Sequence, residues 1–487
     1  MERIYSWREK YMTVSEFITK LDDVAWGSVV LCLLVGVGLI LSISTGFLQF
    51  RKFGHAMKNT IGKVFKKQTA GKGEVTPLQA LTTALAATVG TGNIAGVTGA
   101  IVIGGPGAVF WMWLSALVGM CTKFAEVTLA VHYRERNDKG DWVGGPMYYI
   151  KNGLGKGFGW LSVLFCLFGF LAAFGIGNAT QVQSIGSSIG SAIDALGGNV
   201  GATTIHALGS DFTLCNLIVG IIVAVVVALV LFGGIKRIGS VTEKIVPIMA
   251  VVYIISALIV ILANISHIGK VFSMIFQGAF NAEAALGGAF GITISTSITK
   301  GIARGCFSNE AGLGSAPMAH AATSETNPVK QGFFGIFEVF MDTIVICTLT
   351  ALTVLSSYCA SGVTLDWGNG GGAEVVSAAL SSTLGGAGSV ILAVCLSLFA
   401  LSTVLSWSLY GTRCFEYLFG TKASIGYKIV FILFAIVGAT MSLNDAWNLA
   451  DALNGFMAIP NLIAILTLSP VIIKLVREYF SQEKLRS

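Results

Sequence analysis

Eleven stretches of this chain are apolar for about the length that a helix needs to cross a bilayer. Hydrocarbon ~30 Å thick takes roughly 20 residues at helical rise. The run from Leu217 to Phe232 contains no polar side chain. A barrel strand would instead alternate between lipid-facing and lumen-facing residues. Charge is scarce to match: 11% of the 487 residues are Asp, Glu, Lys or Arg, against roughly 25% in soluble domains. So few charges cannot coat a water-facing surface of this size. The expected class is an all-α integral membrane protein. Soluble enzymes, secreted disulfide scaffolds and nucleic-acid-binding domains are excluded.

The spans are expected at 26–50, 78–104, 107–131, 158–180, 213–233, 241–263, 276–300, 333–355, 385–412, 427–446 and 448–474. Residues 1–25 form a tail, in which Ile4, Tyr11, Phe17 and Leu21 predict a short surface helix, and 475–487 form a second tail. The nine cysteines contain no C-x-x-C, and the histidines never pair at ligand spacing. Free buried thiols are expected, with neither an organic cofactor nor a metal centre of the His/Cys type.

Lys and Arg collect in alternate loops, and loops rich in them face the cytoplasm. Loops 51–77 and 132–157 are rich; Lys236 and Arg237, then Lys300, Arg304 and Lys330, then Arg413 and Lys422 continue the series. Loops 181–212 and 356–384 have none, and 264–275 has only Lys270. This predicts a multi-pass protein of a prokaryotic plasma (inner) membrane, N-terminus outside and C-terminus in the cytoplasm.

Two spans carry clustered glycines: Ala86 to Gly96, and Ala285 to Thr293. Each glycine weakens a helix by ~1 kcal/mol. A break inside lipid survives only where it lines a cavity, because its freed N–H and C=O groups need partners. Close helix packing is the competing reading of such glycines. Setting aside the peripheral span 26–50, residues 78–263 hold five helices and 276–474 hold five more, each set starting with its broken helix. Five is odd, so the second set enters the membrane in the opposite sense, which is an inverted repeat.

A half-helix start presents free amides and a positive dipole end, which suit a carboxylate. Thr91, Gly92 and Asn93 can offer such amides. Carbonyls near Ala86 and Val89, at the preceding end, suit Na⁺. Ser402 and Thr403 on span nine add hard hydroxyl oxygens, and Thr403 shares a face with Trp407. A hydroxyl in such a helix also commonly bonds back to its own i−4 carbonyl, so both readings stand. Gly90 to Ala95 matches G-x-G-x-x-A, but the membrane-helix flanks and the lack of a following acid reject a dinucleotide site.

Intramembrane charges are functional candidates by default. Lys123 with Glu126, and Glu338 with Asp342, are expected near an interface as anchors. Glu310 is expected in a cytoplasmic loop, as a hairpin or gate, and Glu283 at the outer start of span seven. No acid is expected at mid-membrane in a broken helix, which argues against a carboxylate proton relay. A channel would favour symmetric rings, and no catalytic pair suggests an enzyme.

The stretches VGTGNIAGV (Val89–Val97), GGPGAVFWMW (Gly104–Trp113), GGPMYYI (Gly144–Ile150), RGCFSNEAGLGSAP (Arg304–Pro317) and WSLYG (Trp407–Gly411) together resemble the alanine or glycine:cation symporter family. The resemblance implies sodium-driven uptake of alanine, either enantiomer, or glycine. It implies the five-plus-five inverted-repeat fold of the bacterial leucine transporter, with lipid and a small amino acid as the only partners. It puts the substrate carboxylate on amides at Thr91, Gly92 and Asn93, with Thr88 toward the amino group and Gln181 as a pocket amide. Phe290 and Gly291 would form the second break, and Thr403 and Trp407 would close the pocket. Sodium would take the Ala86 and Val89 carbonyls with the Ser402 and Thr403 hydroxyls. Trp407 and Phe290 would leave room for a methyl side chain but not for a leucine side chain.

Overall fold

The computed structural model describes residues 14–64, 69–207, 210–281, 293–368, 371–440 and 443–485. Helix α1 (Val14–Ala25) carries Phe17 and Leu21 of the short helix expected in the N-terminal tail, while Ile4 and Tyr11 lie outside the described residues; a tight turn at Trp26 and Gly27 leads into α2 (Ser28–Ser44), the peripheral span. The first broken span follows as α3 (Pro77–Thr88), a 3-10 turn at Thr91–Asn93 and α4 (Ala95–Gly104). Its two halves are bent by 55°, at the expected glycines. The Thr76 side chain accepts from the Gln79 amide while Gln79 returns the bond, with Pro77 in the first turn. This capping box fixes where α3 starts.

Four further spans complete the first half. They are α5 (Ala108–His132); α6 (Gly159–Phe174) joined through a π-helical segment, Gly175–Ala179, to α7 (Thr180–Ala195); α8 (Leu214–Leu231); and α9 (Gly234–Ala263). The continuous α6–α7 helix corrects the expected end at residue 180: Gln181 lies inside a span, not behind it.

The second half holds α10 (Ile268–Phe280), α11 (Ile294–Asn309), α12 (Pro328–Val339), α13 (Thr348–Cys359), α14 (Ala373–Leu384), α15 (Gly386–Thr440), α16 (Leu443–Thr467) and α17 (Ser469–Lys484). A π-helical segment, Phe340–Cys347, joins α12 to α13. Gly420, at φ 83°, breaks α15 into the two spans expected there. Among the described residues, eight helices are long and apolar enough to cross a membrane, or nine with the bent pair as one. Dividing α15 at Gly420 separates one more.

Span seven departs from expectation. It was expected as one helix over 276–300. Instead α10 and α11 share the region; Glu283, Phe290, Gly291 and nearly all of the expected 285–293 break lie outside the described residues. Helix α11 runs alongside α5, with Gly301 against Ala108 and Gly305 against Met112 and Ser115. The chain then leaves helical geometry at Glu310, Gly312 and Gly314, whose φ values are 55°, 93° and 79°. Glu310 to Ala316 are all buried. An interruption of the second half's first helix thus lies at 310–316, where glycines and Pro317 favour it.

The first helices of both halves meet at the centre. A Cβ on Gly104 would lie 3.1 Å from Lys300, and one on Gly92 3.5 Å from Phe307 and Ser308. Helices α8 and α9 form the rim, where Ile222, Leu229, Ile248 and Leu262 are exposed. Such an apolar surface suits lipid.

Candidate functional site

Helix α3 ends as Val89 turns out of helical geometry (φ −80°, ψ 88°). The Asn93 side chain then bonds back to the Gly90 amide at 2.9 Å, and the Ile94 amide reaches the Thr91 carbonyl at 3.2 Å. The amides of Thr91 and Gly92 open this short turn, so they have no place in its ladder. They are the expected carboxylate donors. The Asn93 side-chain nitrogen, Nδ2, is engaged elsewhere, donating to Asp342 Oδ1 at 2.6 Å and to Ser308 Oγ at 2.9 Å. Thr88 turns back on its own helix, bonding the Ala84 and Leu85 carbonyls at 3.4 and 3.3 Å.

Helix α15 brings two hydroxyls to the same break. Thr403 Oγ1 donates to the Ala86 carbonyl at 2.9 Å and to Phe399 O at 3.0 Å. Ser402 Oγ reaches the same two carbonyls at 3.4 and 2.8 Å. Thr403 thus bonds back to its own i−4 carbonyl and Ser402 to its i−3 carbonyl, and both also reach across to Ala86. The bonds within α15 add Phe399 O to the cluster, a backbone atom that no side-chain pattern reveals. Uncharged oxygens from two helices converge here, the donor set a hard monovalent cation prefers. The approach depends on Gly90: a Cβ there would fall 2.6 Å from Thr403 Oγ1.

Gln181 completes this side of the site. Its Nε2 donates to Thr91 Oγ1 at 3.1 Å and to Ile176 O at 3.0 Å. Its Oε1 is buried without a partner, which costs ~1–3 kcal/mol unless a ligand supplies a donor. Trp407 stands one turn along α15 from Thr403. Its Nε1 donates to Glu310 Oε1 at 3.0 Å, and its Cβ packs against Gly177, where an added Cβ would lie 2.2 Å away. Gly177 belongs to the π-helical segment, a distortion frequent at functional sites.

Glu310, expected in a hairpin or gate with a solvated loop as the alternative, is 3% exposed and takes bonds from Trp407 and Ser315. Lys123, Glu126, Glu338 and Asp342, expected near an interface as anchors, are each fully buried within the protein. Asp342 accepts from Asn93, Ser308 and Thr343, so a carboxyl group does stand beside the first break. Glu126 Oε1 accepts from the amides of Gly312 and Gly314, each at 3.1 Å, and from Asn461 at 2.6 Å. It thereby satisfies amides released where α11 ends. Lys123 pairs with Glu338 at 3.3 Å, and Glu338 with His320 at 3.1 Å.

A cleft of about 330 Å³ runs down to Gly92 and Phe307, past Gly96, Ser184, Arg304 and Glu374. It is lined at Gly371–Glu374 by the loop that lacks Lys and Arg. Lys300 and Arg304, expected with the loops rich in Lys and Arg, also line it, beside the loop that lacks them. Phe307, 7% exposed, lines this cleft beside Gly92 of the first break.

A family profile described as the sodium:alanine symporter family matches residues 11–487. The chain belongs to that family. The sodium/alanine symporter AgcS of Methanococcus maripaludis is 43% identical over 466 residues, covering 95% of this chain and 96% of its own length. The amino-acid carrier protein AlsT of Bacillus subtilis is 38% identical over 454 residues, covering 93% and 89%. Among solved structures, MhsT in complex with L-phenylalanine matches at TM-score 0.56 and 16% identity, covering 84% of this chain and 99% of that one. This likeness shows the fold, that of the bacterial leucine transporter. This family member is a membrane-embedded, cation-coupled amino-acid transporter and not an enzyme.

Proposed function

We propose that this chain imports small neutral amino acids, alanine foremost, together with sodium. Glycine and D-alanine are further substrates of the same size. One observation carries the reading: the Ala86 carbonyl shared by Ser402 and Thr403, one turn before the free amides of the first break. A cation seat and a carboxylate seat then lie on one interrupted helix. AgcS, a relative of nearly the same length, is named for sodium and alanine, which supports the pairing.

In this reading the substrate carboxylate rests on the amides of Thr91, Gly92 and Asn93. The unpartnered Gln181 oxygen receives the ammonium group, with Thr88 nearby. Trp407 limits the side chain to about a methyl group. Sodium takes the Ala86, Val89 and Phe399 carbonyls with the two hydroxyls. Residues 78–263 and 276–474 act as the two inverted repeats, rocking against each other to expose the site alternately. The loops rich in Lys and Arg face the cytoplasm, so the cleft above Phe307 opens outward.

Proton coupling is the second reading, favoured by the buried carboxyl groups of Glu126, Glu310 and Asp342. Uptake of labelled alanine into proteoliposomes separates the two. An inward sodium gradient alone should drive accumulation. Accumulation under a proton gradient without sodium would reverse the assignment.

A further inference from the structure

We propose that the chain binds one anionic phospholipid at the membrane surface, where the peripheral span α2 ends against α17. A cavity of about 920 Å³ opens there, walled by Thr45, Arg51 and Lys52 on one side and by Val476, Arg477 and Phe480 on the other. It shares no residue with the central site.

The first wall arises from a sharp turn of the chain. Gly46 (φ 66°) and Phe47 (φ 53°) take left-handed geometry directly after α2, and the short helix Leu48–Arg51 follows. Arg51 Nη2 donates to the Thr45 carbonyl at 3.3 Å, which keeps the guanidinium over the turn. Gln49 Nε2 ties the turn to the protein, donating to Ser42 Oγ at 2.7 Å and to Leu117 O of α5 at 3.3 Å. Lys52 Nζ lies 4.4 Å from the centre of the Phe480 ring, so a cation–π contact joins the two walls.

The chemistry of the walls identifies the ligand. Among the described residues, no carboxylate lies within ion-pair distance of Arg51, Lys52 or Arg477. Glu483 also lines the cavity, but it stands 3.6 Å from His55. Three cations in one concavity call for an anion, and a guanidinium matches a phosphate in geometry as well as charge. The rest of the surface is apolar. Ile473, Val476 and Phe480 line the same cavity, and Ile43, Phe47 and Phe50 stand exposed at the end of the span. A free phosphate makes no use of such a surface, and a zwitterionic lipid brings a further cation to the three. An anionic phospholipid supplies both the phosphate and the acyl chains. The cavity adjoins loop 51–77, which is rich in Lys and Arg, so in the proposed topology it meets the anionic cytoplasmic leaflet.

Lipid binding to the purified full-length chain in neutral detergent tests the site. Titrated with short-chain phosphatidylglycerol, the wild type should retain one lipid in native mass spectrometry and melt at a higher temperature. Short-chain phosphatidylcholine should do neither. Among the described residues, neither Lys52 nor Arg477 makes a side-chain hydrogen bond, so Lys52→Gln with Arg477→Gln should melt as the lipid-free wild type does. This double variant should bind phosphatidylglycerol about thirtyfold more weakly, and Arg477→Gln alone about fivefold. The charge-matched control, Lys58→Gln with Lys422→Gln, should bind as the wild type. Equal weakening in the two double variants overturns the site in favour of diffuse attraction. Unchanged binding in Arg477→Gln, or equal retention of both lipids, overturns recognition by these charges. If glycerol phosphate, which has no acyl chains, raises the melting temperature as much as phosphatidylglycerol, the cavity is a free-phosphate site and the lipid proposal fails.

Discussion

Thr403 Oγ1 stands 2.9 Å from the carbonyl oxygen of Ala86, which ties α15 to the last turn before the first break. The two residues are 317 positions apart and belong to different repeats. A cation held between them would bridge the halves that must move. In the proposed mechanism, this contact is where ion binding and conformation are coupled.

Gly90 sets the spacing of that contact. Gly90→Ala would place a methyl group 2.6 Å from Thr403 Oγ1, too close to keep the hydroxyl where it is. The sodium concentration for half-maximal alanine uptake should rise about tenfold, a change of ~1.4 kcal/mol. Initial rates over a sodium titration measure it. An unchanged half-saturation point would detach Thr403 from the cation site.

Trp407 is the donor that Glu310 Oε1 accepts from. Trp407→Phe leaves that buried oxygen unpaired, a cost of ~1–3 kcal/mol. Alanine uptake should fall, and adding Glu310→Gln should restore part of it, since a neutral amide tolerates a lost donor better. Equal rates in the single and double variants would show that the bond is incidental.

Glu126 holds two amides of the 310–316 interruption. Glu126→Ala orphans both, at ~1–3 kcal/mol each, while Glu126→Gln keeps an acceptor oxygen. Thermal unfolding in detergent should rank the wild type above the Gln variant and the Gln variant above the Ala variant. If Glu126→Ala melts with the wild type, some other group satisfies the loop.

Lys123 and Glu338 form a fully buried pair at 3.3 Å. Removing one partner of such a pair costs ~3–5 kcal/mol, whereas removing both charges is often nearly neutral. Glu338→Gln should therefore lose much of the folded fraction on size exclusion. The double variant Lys123→Met, Glu338→Gln should regain it, because the amide put in place of the carboxylate can still bond His320. Failure of the double variant to recover would deny the charge pair a structural role.

The first break was legible because Gly90 and Gly92 interrupt an otherwise apolar helix, and only a cavity tolerates that. Thr403 was legible as a hydroxyl in an apolar helix and Gln181 through the family resemblance, and both come to the break. At 310–316 a hairpin or gate was legible, but not the burial of Glu310, a residue that ordinarily seeks water. Its burial depends on Trp407 and Ser315, contacts that are invisible in the linear order. Gly312, Gly314 and Pro317 in close succession were the available signal. Lys300 and Arg304 misled for a related reason. They follow an apolar stretch and were read as loop residues, yet they line the cleft, with Arg304 held by Asp451. Phe399 O carried no signal at all, since every residue has a carbonyl and only the fold aims this one.

The central claim is that one interrupted helix binds cation and amino acid together, and linkage tests it most directly. If the two sites are coupled, each ligand must raise the affinity of the other by the same factor. The measurement is alanine affinity of the purified protein across a sodium series, with wild type beside Thr403→Val. Wild-type affinity should rise with sodium until the cation site saturates, and Thr403→Val should need a much higher sodium concentration for the same gain. Alanine affinity independent of sodium in the wild type would contradict the account.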